Sequence, residues 1–329
     1  VMGPDEYHTA YPEADPVAEG GLDNNAYTNV MVAWLMARIP DLLAVLPAAR
    51  VAQLRRALSV SDDELRRWRE IGTRLTVCFH DDEGGGDRAI IRQFEGYERL
   101  AEFDWAGYRE RYGDIQRLDR ILEAEGDSPD RYRVSKQADV LMLFYLFSSE
   151  ELVGLFDDLG YRFHPEAIPR NIAYYLRRTS HGSTLSWLTH AWVVARCDRA
   201  ASWRLFRDAL HSDLEDIQGG TTAEGIHVGA MAGTVDLMHR CYTGVEIRGN
   251  ALHFNPCLPE PVQRVAFRLR YRRHLLDVEV TRDCLRVASR PSLARPVTIA
   301  YRHHVRELAP GSTFEFRLRR PASAAGAPG

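Results

Sequence analysis

Residues 165–196 carry the sequence PEAIPRNIAYYLRRTSHGSTLSWLTHAWVVAR, and this stretch decides the fold. It contains two segments with helical spacing of apolar residues, separated by a short polar loop. Residues 165–178 keep charged side chains on one side, whereas residues 183–196 are rich in small and apolar residues. Because a short connection makes successive helices antiparallel neighbours, we predict an outer amphipathic helix paired with an inner apolar one.

The same alternation of amphipathic and apolar helices occurs elsewhere in the chain before about residue 240. The further segments with helical spacing are residues 26–38, 61–75, 136–147, 149–160, 200–214 and 224–239. Alternating antiparallel pairs predict a toroid of helices, with the apolar helices lining its inside. In such a barrel the loops at the N-terminal ends of the inner helices form the substrate site.

The hydrophobic pattern changes after about residue 242 to an alternation of apolar and polar residues. Turn formers at Gly249-Asn250 and Pro310-Gly311 separate these segments, so we predict a small antiparallel β domain. We therefore divide the chain into a helical part at residues 1–240 and a β domain at residues 241–319. The low-complexity end, residues 320–329, is predicted to be disordered.

Composition narrows the class of protein. The 329 residues have a formal net charge of −4, which argues against a nucleic-acid partner. No apolar run reaches the length of a membrane span, so we expect no membrane partner. The five cysteines are odd in number and widely spaced, which is typical of reduced thiols in a cytoplasmic protein and not of a disulfide framework or a zinc site.

Two polar segments at the mouths of predicted inner helices are candidates for chemistry. Lys136 is the only lysine among 42 basic residues, and it stands beside Gln137 before a buried helix. A position that keeps lysine where arginine is used everywhere else favours a need for a compact ammonium group. In GPDEYH, residues 3–8, Glu6 is the candidate acid, with Tyr7 and His8 placed to tune its protonation. The alternative interpretation of Glu6 is an ordinary surface carboxylate.

The loop TSHGST, residues 179–184, is a candidate anion site. A glycine flanked by hydroxyls at a helix N-terminus exposes backbone N–H groups, and the helix dipole favours an anion there. His181, Ser183 and Thr184 are therefore candidate phosphate ligands, and ordinary N-capping is the alternative. His227, in a similar glycine- and threonine-rich loop, is either a further ligand or a core histidine.

Several segments together resemble the disaccharide phosphorylases of glycoside hydrolase family 65, which include maltose, trehalose and kojibiose phosphorylases. The matching segments are GPDEYH (3–8), DNNAYTN (23–29), QFEGY (93–97), SKQADVL (135–141), TSHGSTLS (179–186) and GGTTAEGIHVGAMAGT (219–234). The resemblance implies an (α/α)6 barrel with a β-sandwich before it and a small β domain after it. Family members are more than twice this length, so the chain is interpreted as their C-terminal part. We therefore expect an incomplete (α/α)6 barrel followed by a small antiparallel β-sandwich domain, with inner apolar faces exposed and the missing N-terminal part as a partner.

The resemblance also implies roles for the candidate residues. Glu6 is similar to the family's general acid, Lys136 and Gln137 to its glucose-binding pair, and the HGST loop with His227 to its phosphate site. The implied reaction is inverting phosphorolysis of an α-linked glucose disaccharide to β-glucose 1-phosphate and a free sugar, with inorganic phosphate as co-substrate and no other cofactor or metal. A hydrolase of the same family and an inactive carbohydrate-binding remnant stay open as alternatives, as do the linkage, the acceptor and a homodimer.

Overall fold

The computed structural model describes residues 3–12, 20–80, 90–216 and 221–318. These residues form two compact units. The first unit comprises the described residues of 1–193 and 215–225, and the second comprises those of 194–214 and 226–318. The predicted disordered tail, residues 320–329, lies outside the described residues.

Helices make up most of the first unit and continue at the start of the second. The α-helices are α1 (Ala26–Val45), α2 (Ala48–Leu58), α3 (Asp62–Gly72), α4 (Trp105–Tyr112), α5 (Leu118–Ala124), α6 (Val140–Leu146), α7 (Ser149–Asp158), α8 (Ala167–Leu176), α9 (Thr184–Val194), α10 (Arg199–His211) and α11 (Val228–Asp236). A π-helical turn, Leu237–Tyr242, extends α11. In the first unit β1 (Phe79–His80) pairs antiparallel with β2 (Ile90–Ile91), with two residues on each strand.

Capping residues in the sequence explain where two of these helices begin. The side chain of Asn25 accepts a hydrogen bond from the backbone N–H of Thr28 at 2.9 Å, which starts α1. Ser148 and Glu151 form a reciprocal capping box at the start of α7, with bonds of 3.2 and 3.0 Å. Polar groups that would be orphaned at these helix ends are thereby satisfied.

Helix α6 is buried, as predicted for an inner apolar helix, but it begins later than the sequence pattern indicates. Val140, Leu141, Leu143 and Phe144 are fully buried. The sequence pattern predicted a helix from residue 136, whereas the helix begins at Val140. The preceding residues are in a loop because their side chains bind a distant turn, as described below.

Helix α1 corrects the expectation that no segment has the length of a membrane span. Its 20 residues are long and apolar enough to cross a membrane by length and composition. Asn29, Arg38 and Pro40 interrupt the apolar run in the sequence, yet the helix continues through all three. Core helices of soluble proteins and signal sequences pass the same test of length and composition. Leu42 and Val45 are 55% and 79% exposed, so part of its apolar face lies open.

The second unit contains two four-stranded sheets. Their strands are β3 (Glu246–Arg248), β4 (Ala251–Phe254), β5 (Arg264–Tyr271), β6 (His274–Thr281), β7 (Cys284–Ser289), β8 (Val297–Tyr301), β9 (His304–Leu308) and β10 (Thr313–Arg317). One sheet has the order β10-β7-β6-β5 and is antiparallel throughout, and the other has the order β3-β4-β8-β9. Alternate residues of both sheets, such as Leu252, Ile299, Leu276 and Val287, are buried in one shared core.

The predicted fold class, mainly helical with a small β-sandwich after it, is confirmed. One detail differs from the antiparallel expectation: β4 and β8 pair in parallel, with Leu252 opposite Ile299. A parallel pair needs a long crossover, and the chain between β4 and β8 supplies one through β5, β6 and β7. Period-two alternation specifies which face of a strand is buried and not the direction of its neighbour.

Candidate active site

The turn that contains Glu6 separates one exposed side chain from three buried ones. Glu6 has a φ of 63°, in the left-handed region that few residues other than glycine adopt. Asp5, Tyr7 and His8 are only 1%, 5% and 1% exposed, whereas the side chain of Glu6 is 50% exposed. The strained backbone therefore projects Glu6 outward while its neighbours anchor the turn in the interior. Residues 3–8 are called the acid turn below.

The structure brings Glu6 together with the predicted glucose-binding pair. Lys136 Nζ lies 2.6 Å from Glu6 Oε2, and Gln137 Nε2 donates to Glu6 Oε1 at 3.0 Å. Gln137 Nε2 also donates to the backbone carbonyl of Pro4 at 2.5 Å. Both carboxyl oxygens of Glu6 accept from donors, an arrangement that favours the carboxylate form. A general acid acts from its protonated form, so that role for Glu6 would require these contacts to be exchanged.

Tyr7 and His8 do not contact Glu6, contrary to the expectation that they tune its protonation. Tyr7 Oη lies 2.9 Å from Ser180 Oγ, and burial raises the pKa of Tyr7 to about 12. His8 Nδ1 lies 2.6 Å from Asp5 Oδ2, and its Nε2 donates to the carbonyl of Tyr132 at 2.9 Å. Their side chains point inward because Glu6 takes the outward position of the turn.

The protonation of His8 is set by these buried contacts. Burial opposes a charge on the ring, but Asp5 and the Tyr132 carbonyl together raise the pKa of His8 above its usual value of 6.5. The carbonyl can only accept, so Nε2 carries a hydrogen and a second proton is shared between Nδ1 and Asp5. His8 therefore favours its charged form and forms a buried ion pair with Asp5.

The predicted phosphate loop packs directly against the backbone of Lys136. Gly182 N–H donates to the Lys136 carbonyl at 2.9 Å, and Ser180 N–H donates to the Ser135 carbonyl at 2.9 Å. A Cβ atom at Gly182 would lie 2.5 Å from the Gln116 carbonyl oxygen and 2.9 Å from Lys136 Cγ. Only glycine fits here without displacement. Lys136 thus contacts Glu6 through its side chain and the loop through its backbone.

His181 lies within this loop but is engaged by its own helix. Its ring stacks on Trp187 with centroids 4.3 Å apart, and Nδ1 lies 2.9 Å from Ser186 Oγ. Burial, with smaller contributions from His190 and Arg109, lowers the pKa of His181 well below its usual value of 6.5. The ring is therefore neutral at pH 7 and brings no positive charge to an anion. Its predicted phosphate contact, like those of Ser183 and Thr184, stays a prediction.

His227 belongs to the second unit, where Asp213 holds it. Its Nδ1 lies 2.6 Å from Asp213 Oδ1, and its backbone N–H donates to Asp213 Oδ2 at 2.9 Å. The carboxylate fixes Nδ1 as a donor and orients the ring at the start of α11. The predicted role of His227 in phosphate binding is not tested by these contacts.

Sequence reasoning missed a set of polar residues directly behind the acid turn. Asn25, Gln93 and Asp139 are 2%, 0% and 3% exposed, although all three are polar. Asn25 Nδ2 donates to Asp139 Oδ2 at 3.2 Å, and Gln93 Nε2 donates to Asp5 Oδ2 at 3.2 Å. All three lie within motifs that carry the family resemblance, DNNAYTN, QFEGY and SKQADVL, and this position could have indicated them.

Comparison with known proteins identifies the family to which this arrangement belongs. Residues 1–236 match the glycosyl hydrolase family 65 central catalytic domain, and residues 245–308 match the C-terminal domain of the same family. The chain belongs to glycosyl hydrolase family 65. The resemblance predicted from the sequence motifs is thereby confirmed, and the acid turn, Lys136 and the 179–184 loop all lie within the catalytic-domain match.

Relatives cover nearly all of this chain and are themselves much longer. An uncharacterized glycosyl hydrolase of Mycobacterium tuberculosis is 48% identical over 315 residues, which are 96% of this chain and 23% of that protein. The trehalose 6-phosphate phosphorylase of Lactococcus lactis is 37% identical over 270 residues, 81% of this chain and 32% of that protein. A solved structure named "Putative kojibiose phosphorylase from human microbiome" has a TM-score of 0.71 at 20% identity and covers 98% of this chain and 42% of its own. The chain therefore spans about a quarter to a third of the length of the curated relatives.

Proposed function

We propose that this chain is the C-terminal part of an inverting disaccharide phosphorylase that acts on an α-linked glucose disaccharide. The observation that carries the proposal is that Lys136 contacts both the candidate acid, Glu6, and the candidate phosphate loop through Gly182. A phosphorylase needs an acid on one side of the glycosidic bond and an anion on the other, about one sugar ring apart. The trehalose 6-phosphate, kojibiose and maltose phosphorylases among the relatives support the same reaction class.

In the proposed mechanism the side chains act one after another. Lys136 and Gln137 donate hydrogen bonds to glucosyl hydroxyls, and in doing so they release Glu6. Glu6, whose side chain is half exposed, takes up a proton from the solvent and donates it to the glycosidic oxygen, so that the bond between this oxygen and the anomeric carbon breaks. Inorganic phosphate, bound by Ser183, Thr184 and the N–H groups at the start of α9, attacks the anomeric carbon from the opposite face. The products are β-glucose 1-phosphate and a free sugar.

Phosphate replaces the second carboxylate that an inverting hydrolase requires. In such a hydrolase a general base activates water from roughly 6.5–9.5 Å away from the acid. An anionic nucleophile needs no base, so in this proposal a loop of hydroxyls and N–H groups can stand where the base would be. A hydrolase of the same family is the alternative, and the two reactions differ in their need for phosphate.

We further propose that an N-terminal part, which the family resemblance implies, is required as a partner. Leu35 and Leu42 on α1 are 49% and 55% exposed, although both are large and apolar. Exposed apolar side chains that lie together on one surface mark sites of interaction. The chain is therefore expected to be active when joined to that part, or mixed with it, and much less active by itself.

The test is the formation of glucose 1-phosphate from a panel of α-linked disaccharides and their 6-phosphates, with this chain and with its full-length form. Glucose 1-phosphate is expected only in the presence of phosphate, and Glu6→Gln is expected to lower kcat by about 1,000-fold. Glu110→Gln, at an exposed glutamate on α4, is the matched control. Release of sugar at a comparable rate in phosphate-free buffer would favour the hydrolase, and no reaction in the full-length protein would favour the carbohydrate-binding remnant.

A further inference from the structure

A cluster of five buried polar side chains lies directly behind the acid turn. Asp5, His8, Asn25, Gln93 and Asp139 come from four separate segments of the chain, and none is more than 3% exposed. Two of them are carboxyl groups. Burying an ionised carboxylate is costly unless it is paired or well hydrogen-bonded, so the contacts of each decide its charge. We call these residues the buried carboxyl cluster.

The two carboxyl groups have very different charge and hydrogen-bond partners. Asp5 Oδ2 lies 2.6 Å from the ring of His8 and 3.2 Å from the donor Gln93 Nε2. Asp139 Oδ2 receives a hydrogen bond from Asn25 at 3.2 Å, and no basic side chain of the described residues pairs with it. Asp5 is therefore paired with a basic side chain, whereas the main support for a negative charge on Asp139 comes from the amide groups of Asn25 and Gln93.

The unpaired oxygens of the cluster point to a proton on Asp139. Asp139 Oδ1 and Gln93 Oε1 are both buried without a hydrogen-bond partner among the described residues. Both are acceptors when Asp139 is ionised, and a hydrogen on Asp139 supplies the donor that the cluster lacks. Burial and the charge of Asp5 raise the pKa of Asp139 well above its usual value of 3.8, although Asn25, His8 and Gln93 oppose them.

The same cluster joins the two halves of the candidate site. Asp5 immediately precedes Glu6, and Asp139 follows Gln137 by two residues. Gly3 allows the two segments to approach closely, because a Cβ atom at this position would lie 2.1 Å from Asp139 Oδ2. The acid turn is thus packed against the segment that carries the sugar-binding pair.

We propose that Asp5 and Asp139 are positioning residues that keep the acid turn beside the segment of Lys136 and Gln137, with Asp5 ionised and Asp139 carrying its proton. The proposal rests on the function proposed above for Glu6. Loss of the proton from Asp139 would place a second negative charge beside Asp5 in a dry interior. The acid turn and the start of α6 would then separate, and the contact between Glu6 and Lys136 would break as the pH rises. The other titratable groups that face Asp139 are His8 and the phenols of Tyr27 and Tyr175.

The single lysine gives a direct probe of this contact. Labelling with ¹⁵N-lysine yields one side-chain NMR signal, that of Lys136, and Glu6→Gln defines its position when the ion pair is absent. Titrating each variant over the same pH range removes the contribution of the lysine's own ionisation. Asp41→Asn, at an exposed carboxylate paired with Arg38, is the matched control.

The wild-type signal is expected at its paired position at pH 6 and to move toward the Glu6→Gln position as the pH rises. Asp139→Asn, a neutral replacement for the protonated acid, is expected to keep the paired position throughout. The Lys136 signal of Asp5→Asn is expected near its position in Glu6→Gln already at pH 6. In the active enzyme, Asp5→Asn is expected to lower kcat by about 100-fold with an unchanged KM for phosphate. Asp41→Asn is expected to match the wild type.

An Asp139→Asn signal at the Glu6→Gln position at pH 6, or an Asp5→Asn signal that follows the wild type, would overturn the proposal. If Asp5→Asn does not fold, the comparison of wild type with Asp139→Asn at high pH decides the question. Thermal unfolding supplies a further check, since wild type should lose stability relative to Asp139→Asn as the pH rises above about 4. Absence of phosphorolysis in the wild type would refute the proposed function and leave the lysine signal as an independent test of the positioning.

Discussion

His8 and His181 are both largely enclosed, both lie in loops of the candidate site, and yet their pKa values shift in opposite directions. The pKa of His8 is raised because Asp5 and the Tyr132 carbonyl outweigh its burial. The pKa of His181 is lowered well below its usual value because burial is reinforced by His190 and Arg109. The acid turn is therefore a region of paired charges, whereas the loop before α9 is a neutral one.

The difference predicts opposite dependences of stability on pH. The contribution of His8 is fully present below its unfolded pKa of about 6.5 and is lost as the pH rises through its higher folded pKa. The lowered pKa of His181 acts in the other sense, because the unfolded chain binds more protons below about pH 6.5. The residue type alone sets neither sign, since the partners decide which protonation state the fold favours.

The largest expected effect is the loss of one member of the charged pair. His8→Leu leaves the Asp5 carboxylate buried beside Gln93 only, so we expect a loss of about 3–5 kcal/mol in the free energy of unfolding, measured with urea. His164→Leu, at an exposed histidine, should change it by less than about 0.5 kcal/mol. A loss of under about 1 kcal/mol for His8→Leu would show that the pair is not a buried ion pair.

The neutral region should lower the stability of the folded protein in acid. Burial lowers the pKa of His190 to about 4. The folded protein should therefore lose about 3 kcal/mol of stability as the pH falls from about 6.5 to about 4, because a tenfold difference in proton affinity between the folded and unfolded chain corresponds to about 1.4 kcal/mol. Thermal unfolding of wild type and His190→Gln across this range measures it. Equal slopes in the two proteins would contradict the prediction.

The junction of the two regions is tested by Gly182→Ala. The added methyl group would meet the Gln116 carbonyl at 2.5 Å and Lys136 Cγ at 2.9 Å, so the backbone must move. We expect a loss of about 1–3 kcal/mol in stability, together with a shift of the Lys136 NMR signal. Gly154→Ala, in α7 with open space around it, should be neutral or slightly stabilising. An unchanged Lys136 signal in Gly182→Ala would show that the loop and the lysine are not mechanically linked.

The smallest expected effect concerns the proposed phosphate contact. Ser183→Ala should raise the KM for phosphate by about tenfold with little change in kcat, because one hydrogen bond to an anion is worth about 1.5 kcal/mol. Steady-state rates at varied phosphate measure it, and Ser128→Ala, at a serine outside this loop, serves as the control. An unchanged KM would remove Ser183 from the phosphate site.

The sequence was sufficient for the helix order, the β region and the family, because helical spacing, alternation and ordered motifs are local properties. It was also sufficient to group Glu6, Lys136 and Gln137, although they are some 130 residues apart. It could not show that Asp139 carries a proton or that His181 is neutral. Those states depend on which side chains meet in the interior, and the contacts come from residues such as Asp5 and His190 that no spacing rule links to them. The parallel pairing of β4 with β8 was missed for the same reason.

The presence of one lysine in the sequence has a practical consequence. A reagent that attacks primary amines finds a single side-chain target in these residues, and that target is the amine beside Glu6. Carbamylation, amine cross-linking or coupling of a dye through lysine would therefore modify the proposed sugar-binding position. Attachment of this protein to a support or a label should be directed through a cysteine or a terminus, and protection of Lys136 from acylation by added sugar would serve as a simple assay of occupancy.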